Sequence, residues 1–182
     1  MPLDPQAALA IKFAGDLPAN LTHAELRRAY SEQRIRMLPP APPIALARDV
    51  SIPSPEGLIA ARFYRPHDDG IACPLLVFFH GGGWMLGSVD SYDTVCRRLA
   101  IKGRCAVLSV EYRLAPETTF PGAVHDAYAA TLWAARSAGG LGIDSGAIAV
   151  GGDSAGGNLA AVLAQMSHDS GDFSVALQVL IY

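Results

Sequence analysis

The chain has 182 residues, 51% of them hydrophobic and 17% charged, with a formal net charge of −3. That size and apolar content suit one sizeable core or a piece of a larger domain, and the weak negative charge supplies no basic field for nucleic acid or an anionic membrane surface. No apolar run approaches the roughly 20 residues that span a bilayer, and the opening Met1-Pro2-Leu3-Asp4 lacks the basic n-region of a secretory signal. The three cysteines, Cys73, Cys96 and Cys105, form no CxxC pair, which argues against a disulfide framework or a thiolate zinc site and for a reducing compartment. The expectation is a cytoplasmic protein with no integral membrane association and no nucleic-acid partner; its oligomeric state is left open.

In chain order, residues 3–37 read as helical. Leu9, Ile11, Phe13 and Leu17 come first; Thr22 then stands three residues before Glu25, a capping-box spacing, ahead of Leu26, Tyr30 and Ile35. Arg27, Arg28, Arg34 and Arg36 are interspersed with Glu25 and Glu32 and read as a solvated helix face. Pro39, Pro40, Pro42 and Pro43 end the segment, because proline cannot continue a helix and restricts its predecessor. The boundary divides an N-terminal helical piece, 1–43, from a core, 44–182.

Past the prolines the pattern changes. Ala47–Ile52 and Leu58–Tyr64 alternate around Pro55-Glu56-Gly57 as a β-hairpin does. Strands are predicted at Pro74–His80, Cys105–Tyr112, Ala147–Gly151 and Val175–Tyr182, and helices at Tyr92–Lys102, Ala123–Ser137 and Ala155–His168. Strands that are apolar throughout and alternate with helices indicate an α/β protein, its mostly parallel sheet covered by helices on both faces.

Three glycine-rich junctions carry the chemistry. The dinucleotide fingerprint GxGxxG fails at Gly81-Gly82-Gly83, where position 86 is Leu, and fails again at Gly151-Gly152-Asp153; no GxxxxGK[ST] loop occurs. Gly152-Asp153-Ser154-Ala155-Gly156 is instead a GxSxG pentapeptide, with the apolar run Ile148–Val150 before it and helix-forming Asn158–Gln165 after it. A strand turning sharply into a helix holds such a serine in a strained conformation with its hydroxyl above the sheet. The alternative is a glycine-rich helix start with Ser154 merely near its N-cap. The strand ending at Phe79 runs into His80-Gly81-Gly82-Gly83-Trp84. Acyl transfer passes through a tetrahedral oxyanion that pre-aimed N–H groups stabilise. A glycine run beside the residue after the nucleophile supplies such donors, so Gly82, Gly83 and Ala155 are the candidate oxyanion hole. His80, at the strand end, is read as fixing the loop by hydrogen bonds rather than as the general base.

Taken together, His80-Gly81-Gly82-Gly83-Trp84, then Tyr112-Arg113-Leu114-Ala115-Pro116-Glu117 with Phe120-Pro121 and Asp126, then Gly152-Asp153-Ser154-Ala155-Gly156-Gly157-Asn158-Leu159-Ala160, resemble the hormone-sensitive-lipase-like esterases over roughly residues 45–182. The resemblance implies an α/β-hydrolase fold, no cofactor, and hydrolysis of short- to medium-chain esters as small-molecule substrates. It also implies that the N-terminal helices form part of a cap, and that Trp84 lines the substrate pocket. Arg113, Glu117 and Asp126 would pair internally as scaffold.

The triad of this fold runs Ser, then Asp or Glu, then His. After Ser154 only His168, Asp169 and Asp172 remain. They fall together just past the predicted helix, in the wrong order. His125, beside Asp126, precedes the serine. The expectation is therefore a core incomplete at its C-terminal side, with the triad acid and base outside this chain and little turnover by the chain alone. A non-catalytic small-molecule receptor on the same scaffold, or an amidase or peptidase, are the competing functions.

Overall fold

Two helices precede the sheet, α1 at Pro5–Ala14 and α2 at His23–Met37. The structure, a computed structural model, describes residues 3–14 and 20–182; Leu17, part of the predicted helical stretch, lies outside the described residues. The capping box forms in full. Glu25 N–H donates to Thr22 Oγ1 at 3.3 Å and Thr22 N–H to Glu25 Oε2 at 2.9 Å, satisfying two N-terminal donors that a helix otherwise leaves open. At the other end Leu38 is extended, with φ −88° and ψ 145°, as Pro39 requires of its predecessor.

The basic face of α2 departs from its predicted role. Arg28 and Arg36 are exposed. Arg27, however, donates to the carbonyls of Met85 and Ala115 and to both carboxylate oxygens of Glu117, and the Arg34 guanidinium lies 3.9 Å from the centre of the Tyr92 ring. A guanidinium carries five donors in a planar fork and stacks on aromatic faces. Two of the four arginines therefore dock the helix on the core.

The hairpin appears as β1, Leu46–Ser54, and β2, Gly57–Arg65, in antiparallel register. Then follow β3 (Cys73–Phe79), a 3-10 turn (Asp90–Tyr92), α3 (Asp93–Gly103), β4 (Ala106–Val110) and α4 (Gly122–Arg136). The chain continues through α5 (Ala138–Leu141), β5 (Ile143–Asp153), α6 (Ala155–Ser170) and β6 (Leu177–Ile181). The strand order is β1-β2-β4-β3-β5-β6, with β4, β3, β5 and β6 mutually parallel and β2 antiparallel to both its neighbours. This is the predicted α/β-hydrolase sheet.

Helix α5 had no local signal in the sequence, and β5 starts earlier than predicted. Helix α5 contains Gly139 and Gly140, which disfavour a helix. It is held from outside, since the buried Arg65 donates to the carbonyls of Leu141 and Gly142, where a cation complements a helix C-terminus. Strand β5 begins at Ile143 rather than Ala147, because Ile143 pairs with Cys73 ahead of a register shift.

Side chains alternate across the central strands. Leu75, Val77, Phe79, Leu108, Val110, Ile148 and Val150 form one buried layer with Ala127, Ala130, Leu159 and Leu163 of α4 and α6. Leu76, Phe78 and Val107 form the other with Tyr92, Cys96 and Ala100. Every central strand is thus apolar on both faces, which explains the continuous runs. Strand β6 stands at the end of the described order, with Leu177 and Leu180 exposed. No helix of the described residues is long and apolar enough to cross a membrane.

Candidate active site

Ser154 sits between the C-terminal end of β5 and the first residue of α6, at φ 52° and ψ −116°. Non-glycine residues rarely occupy that region, and holding one there costs on the order of 1–3 kcal/mol. The surroundings over-determine it. Ser154 N–H donates to Ile181 O of β6 at 2.9 Å, and its carbonyl accepts from Asn158 N–H at 3.0 Å. On either side the backbone is pressed against β3. A Cβ at Gly156 would overlap the Phe79 carbonyl oxygen and stand 2.8 Å from His80 O, and one at Gly152 would stand 2.6 Å from Gly156 O. The glycines at both ends of the pentapeptide are dictated by this approach of strand, turn and helix. Ser154 is half-buried, and among the described residues its hydroxyl meets no hydrogen-bonding partner.

The glycine loop leaves the end of β3 alongside. Gly82, Gly83 and Trp84 all have positive φ, at 126°, 62° and 59°. The turn closes through Met85 and Leu86 N–H groups, both donating to Gly82 O, at 3.1 and 2.9 Å. A side chain at Gly82 would meet the Leu86 carbonyl. Among the described residues the N–H groups of Gly82, Gly83 and Ala155 meet no acceptor. These are the three donors proposed from the sequence, and Ala155 N–H also opens α6, where the helix dipole favours negative charge.

His80 is fully buried. Its ring stacks on Tyr112 with centroids 4.4 Å apart, and Nδ1 lies 2.9 Å from Gly81 O. The Tyr112 hydroxyl donates to His80 O at 2.6 Å. Burial pushes the imidazole pKa down to about 4, against opposing contributions from the Gly81 bond and Asp153. The neutral ring therefore donates from Nδ1 to Gly81 O, the loop-fixing role expected of it.

That shift gives a stability prediction. The folded pKa of His80 lies below its ordinary 6.5, so between the two the unfolded chain binds a proton that the native state does not. The contribution is fully present above pH 6.5 and is lost as pH falls toward 4. Between pH 7 and pH 4.5 wild type should lose about 2–3 kcal/mol more than His80→Gln. Urea unfolding of both proteins at the two pH values measures this; equal losses would refute it.

Trp84 is 41% exposed and its carbonyl accepts from Ala115 N–H at 2.8 Å. With Met85, Phe120, Val124, Val162 and Met166 it lines a largely apolar groove of about 690 Å³. Ser154 is not among the lining residues; Gly83 and Asn158, one helical turn past the serine, bring the groove to the elbow.

The remaining sequence candidates fall elsewhere. His168 lies in the last turn of α6. Fourteen residue steps along the helix separate it from Ser154, about 21 Å. Asp172 accepts from the Tyr128 hydroxyl, and His125 pairs with Glu56 of the hairpin turn. Arg113 and Asp126 form the internal pair expected, through Nη2 to Oδ1 at 2.8 Å with Asp126 buried. Glu117 does not join them. It pairs with Arg27 of α2, which holds its carboxyl down to about 2, and it is 60% exposed. Among the described residues no group of His, Cys, Asp and Glu is arranged to hold a metal.

Sequence reasoning passed over Asp153, Tyr92 and Arg34. Asp153 Oδ1 accepts from Gly81 N–H at 2.9 Å and Oδ2 from the Tyr92 hydroxyl at 2.7 Å. The only available signal was an acidic residue at the variable position of the pentapeptide; nothing local marks Tyr92.

The α/β-hydrolase fold family model matches residues 76–182. The chain belongs to this family. Among curated α/β-hydrolase relatives, it is 51% identical over 139 residues to the carboxylic ester hydrolase LipN of Mycobacterium tuberculosis, covering 74% of this chain and 37% of that protein. It is 37% identical over 177 residues to an arylesterase of Saccharolobus solfataricus, covering 93% and 56%. In three dimensions it matches the hyperthermophilic esterase of the archaeon Pyrobaculum calidifontis with a TM-score of 0.90 and 45% identity, over 99% of this chain and 58% of that one. These relatives bear out the resemblance to hormone-sensitive-lipase-like esterases. The chain spans about half the length of the relatives it matches.

Proposed function

We infer that the protein carrying this chain hydrolyses carboxylic esters through an acyl-enzyme on Ser154. The observation that carries this reading is the conjunction of a strained, unpartnered serine at a strand–helix turn with unpaired N–H groups on two converging segments. A base supplied by residues outside this chain takes the Ser154 proton as Oγ bonds to the ester carbonyl carbon. The carbonyl electrons move onto its oxygen, which rests on the N–H groups of Gly82, Gly83 and Ala155. When the C–O bond to the alcohol breaks, the alcohol leaves with the proton, and water then cleaves the acyl–serine bond.

The apolar groove beside Trp84, about 690 Å³, supports a neutral acyl or alcohol group of short to medium length. Arg113, the charged group in its lining, already pairs with Asp126 and Glu56. In this reading residues 1–43 form a helical cap segment seated by Arg27 and Arg34, and residues 44–182 part of the hydrolase core. Residues 1–182 alone turn over little, since no described side chain takes the Ser154 proton.

The test is hydrolysis of p-nitrophenyl acetate through decanoate by the full-length natural protein, with a phosphonate ester as covalent probe. The expected results are a maximum at short to medium acyl length and a single adduct mapped by mass spectrometry to Ser154. A full-length protein that cleaves none of these esters, or carries its adduct elsewhere, would refute the reading.

A further inference from the structure

The geometry points to Asp153 as the positioning residue that locks the glycine loop to the serine elbow, and so sets the oxyanion hole. The inference rests on the esterase reading above. The two arms of the hole lie on segments far apart in sequence, since Asp153 and Gly81 are separated by 72 residues. Donors on separate segments work together only if their relative placement holds to a fraction of an ångström. Asp153 belongs to the elbow, as the residue preceding Ser154, yet its carboxylate is spent on the loop.

Each oxygen has its donor. Oδ1 takes Gly81 N–H at 2.9 Å and Oδ2 takes the Tyr92 hydroxyl at 2.7 Å, while Gly81 N also lies 3.1 Å from the Tyr92 oxygen. Hydrogen bonds to an ionised acceptor are the stronger kind, so this triangle fixes Gly81 directly ahead of Gly82 and Gly83. The approach needs a glycine. A Cβ at Gly81 would stand 2.9 Å from Asp153 O and meet its carboxylate. Ser154 is not among the partners of Asp153, which separates this role from that of a triad acid orienting a base.

Tyr92 is held in turn. It is 1% exposed, sits in the 3-10 turn that follows the loop, and carries the Arg34 guanidinium of α2 on its ring at 3.9 Å. The N-terminal helix thus bears on the phenol that braces the carboxylate. None of Asp153, Gly81, Tyr92 and Arg34 lines the groove of Trp84, Phe120 and Met166.

The experiment compares steady-state kinetics on p-nitrophenyl butyrate for the full-length wild type, Asp153→Ala, Asp153→Asn and Tyr92→Phe, with thermal unfolding of each. Asp153→Ala should lower kcat about 30- to 300-fold, somewhat less than the loss of an oxyanion donor itself, with KM within about three-fold because the groove is untouched. Asp153→Asn keeps an acceptor for Gly81 N–H and should recover most of that loss. Tyr92→Phe keeps the ring under Arg34 and should lower kcat about three- to ten-fold. Affinity for a trifluoromethyl ketone, which forms the oxyanion adduct, should fall in step with kcat. A folded Asp153→Ala with wild-type kcat, or one whose loss lies in KM, would overturn the inference. If Asp153→Ala does not fold, unchanged kcat and adduct affinity in Tyr92→Phe would overturn it. An inactive wild type would instead refute the esterase reading on which it depends.

Discussion

Ser154→Gly should lose essentially all ester hydrolysis by the full-length protein and yet gain stability. The activity loss is expected at about 10⁴–10⁶-fold in kcat, the range seen when a nucleophile is removed from a working triad. The stability gain follows from the backbone. Ser154 holds φ 52° and ψ −116°, a conformation costing a residue with a Cβ on the order of 1–3 kcal/mol and glycine much less. Glycine also loses more entropy on folding, by up to about 1 kcal/mol, so the net rise should be up to about 2 kcal/mol. Ser154→Ala separates the two effects, because it removes the hydroxyl and keeps the strain. Its activity should fall equally, with stability within about 0.5 kcal/mol of wild type. Urea unfolding of the three proteins, with p-nitrophenyl butyrate kinetics, reads both. A less stable Ser154→Gly would show that the turn is not strained in solution.

Gly156→Ala should be the most damaging single methyl group in the core. The added Cβ would overlap the Phe79 carbonyl oxygen, 2.5 Å from its carbon and 2.8 Å from His80 O. All three atoms are backbone, so no rotamer change relieves the overlap. Either α6 lifts from β3 or the end of β3 moves, and each route disturbs the elbow and the glycine loop together. The cost should exceed about 4 kcal/mol, beyond ordinary overpacking, and much of the protein should be insoluble. Gly140→Ala is the control. A Cβ there meets nothing within 4 Å and φ is not positive, so stability should stay level or rise by up to about 1 kcal/mol. Soluble yield and urea midpoints decide it; a Gly156→Ala variant as stable as Gly140→Ala would mean that α6 and β3 are less tightly apposed than the structure has them.

The two sets of variants bear on one structural fact. The serine can be held in an unfavourable conformation only because its neighbours leave the backbone no alternative, and Gly156 is where that constraint is tightest. Packing around the turn offsets the strain at Ser154, the proposed nucleophile.

Much of this was legible from residue order. The hairpin, the buried parallel strands, the capping box at Thr22 and the pentapeptide at Gly152–Gly156 all depend on periodicity or on φ/ψ preferences within a few residues. Such features are written where they act. The basic face of α2 was misread for the opposite reason. Its charges look solvated along the helix, but Arg27 meets Met85 and Glu117 across 58 and 90 residues, and Arg34 meets Tyr92. Helix α5 is similar, a glycine-rich turn stabilised by Arg65 from 76 residues away.

The motifs thus named the parts of the proposed site: a nucleophile at Ser154, donors at Gly82, Gly83 and Ala155, and a pocket wall at Trp84. What joins them waited on the fold. Asp153 binds Gly81 only because β3 and β5 are neighbours in the sheet and end side by side at Phe79 and Gly152. A carboxylate's partner depends on which segments the packed core brings within 3 Å, and spacing along the chain carries no record of that distance.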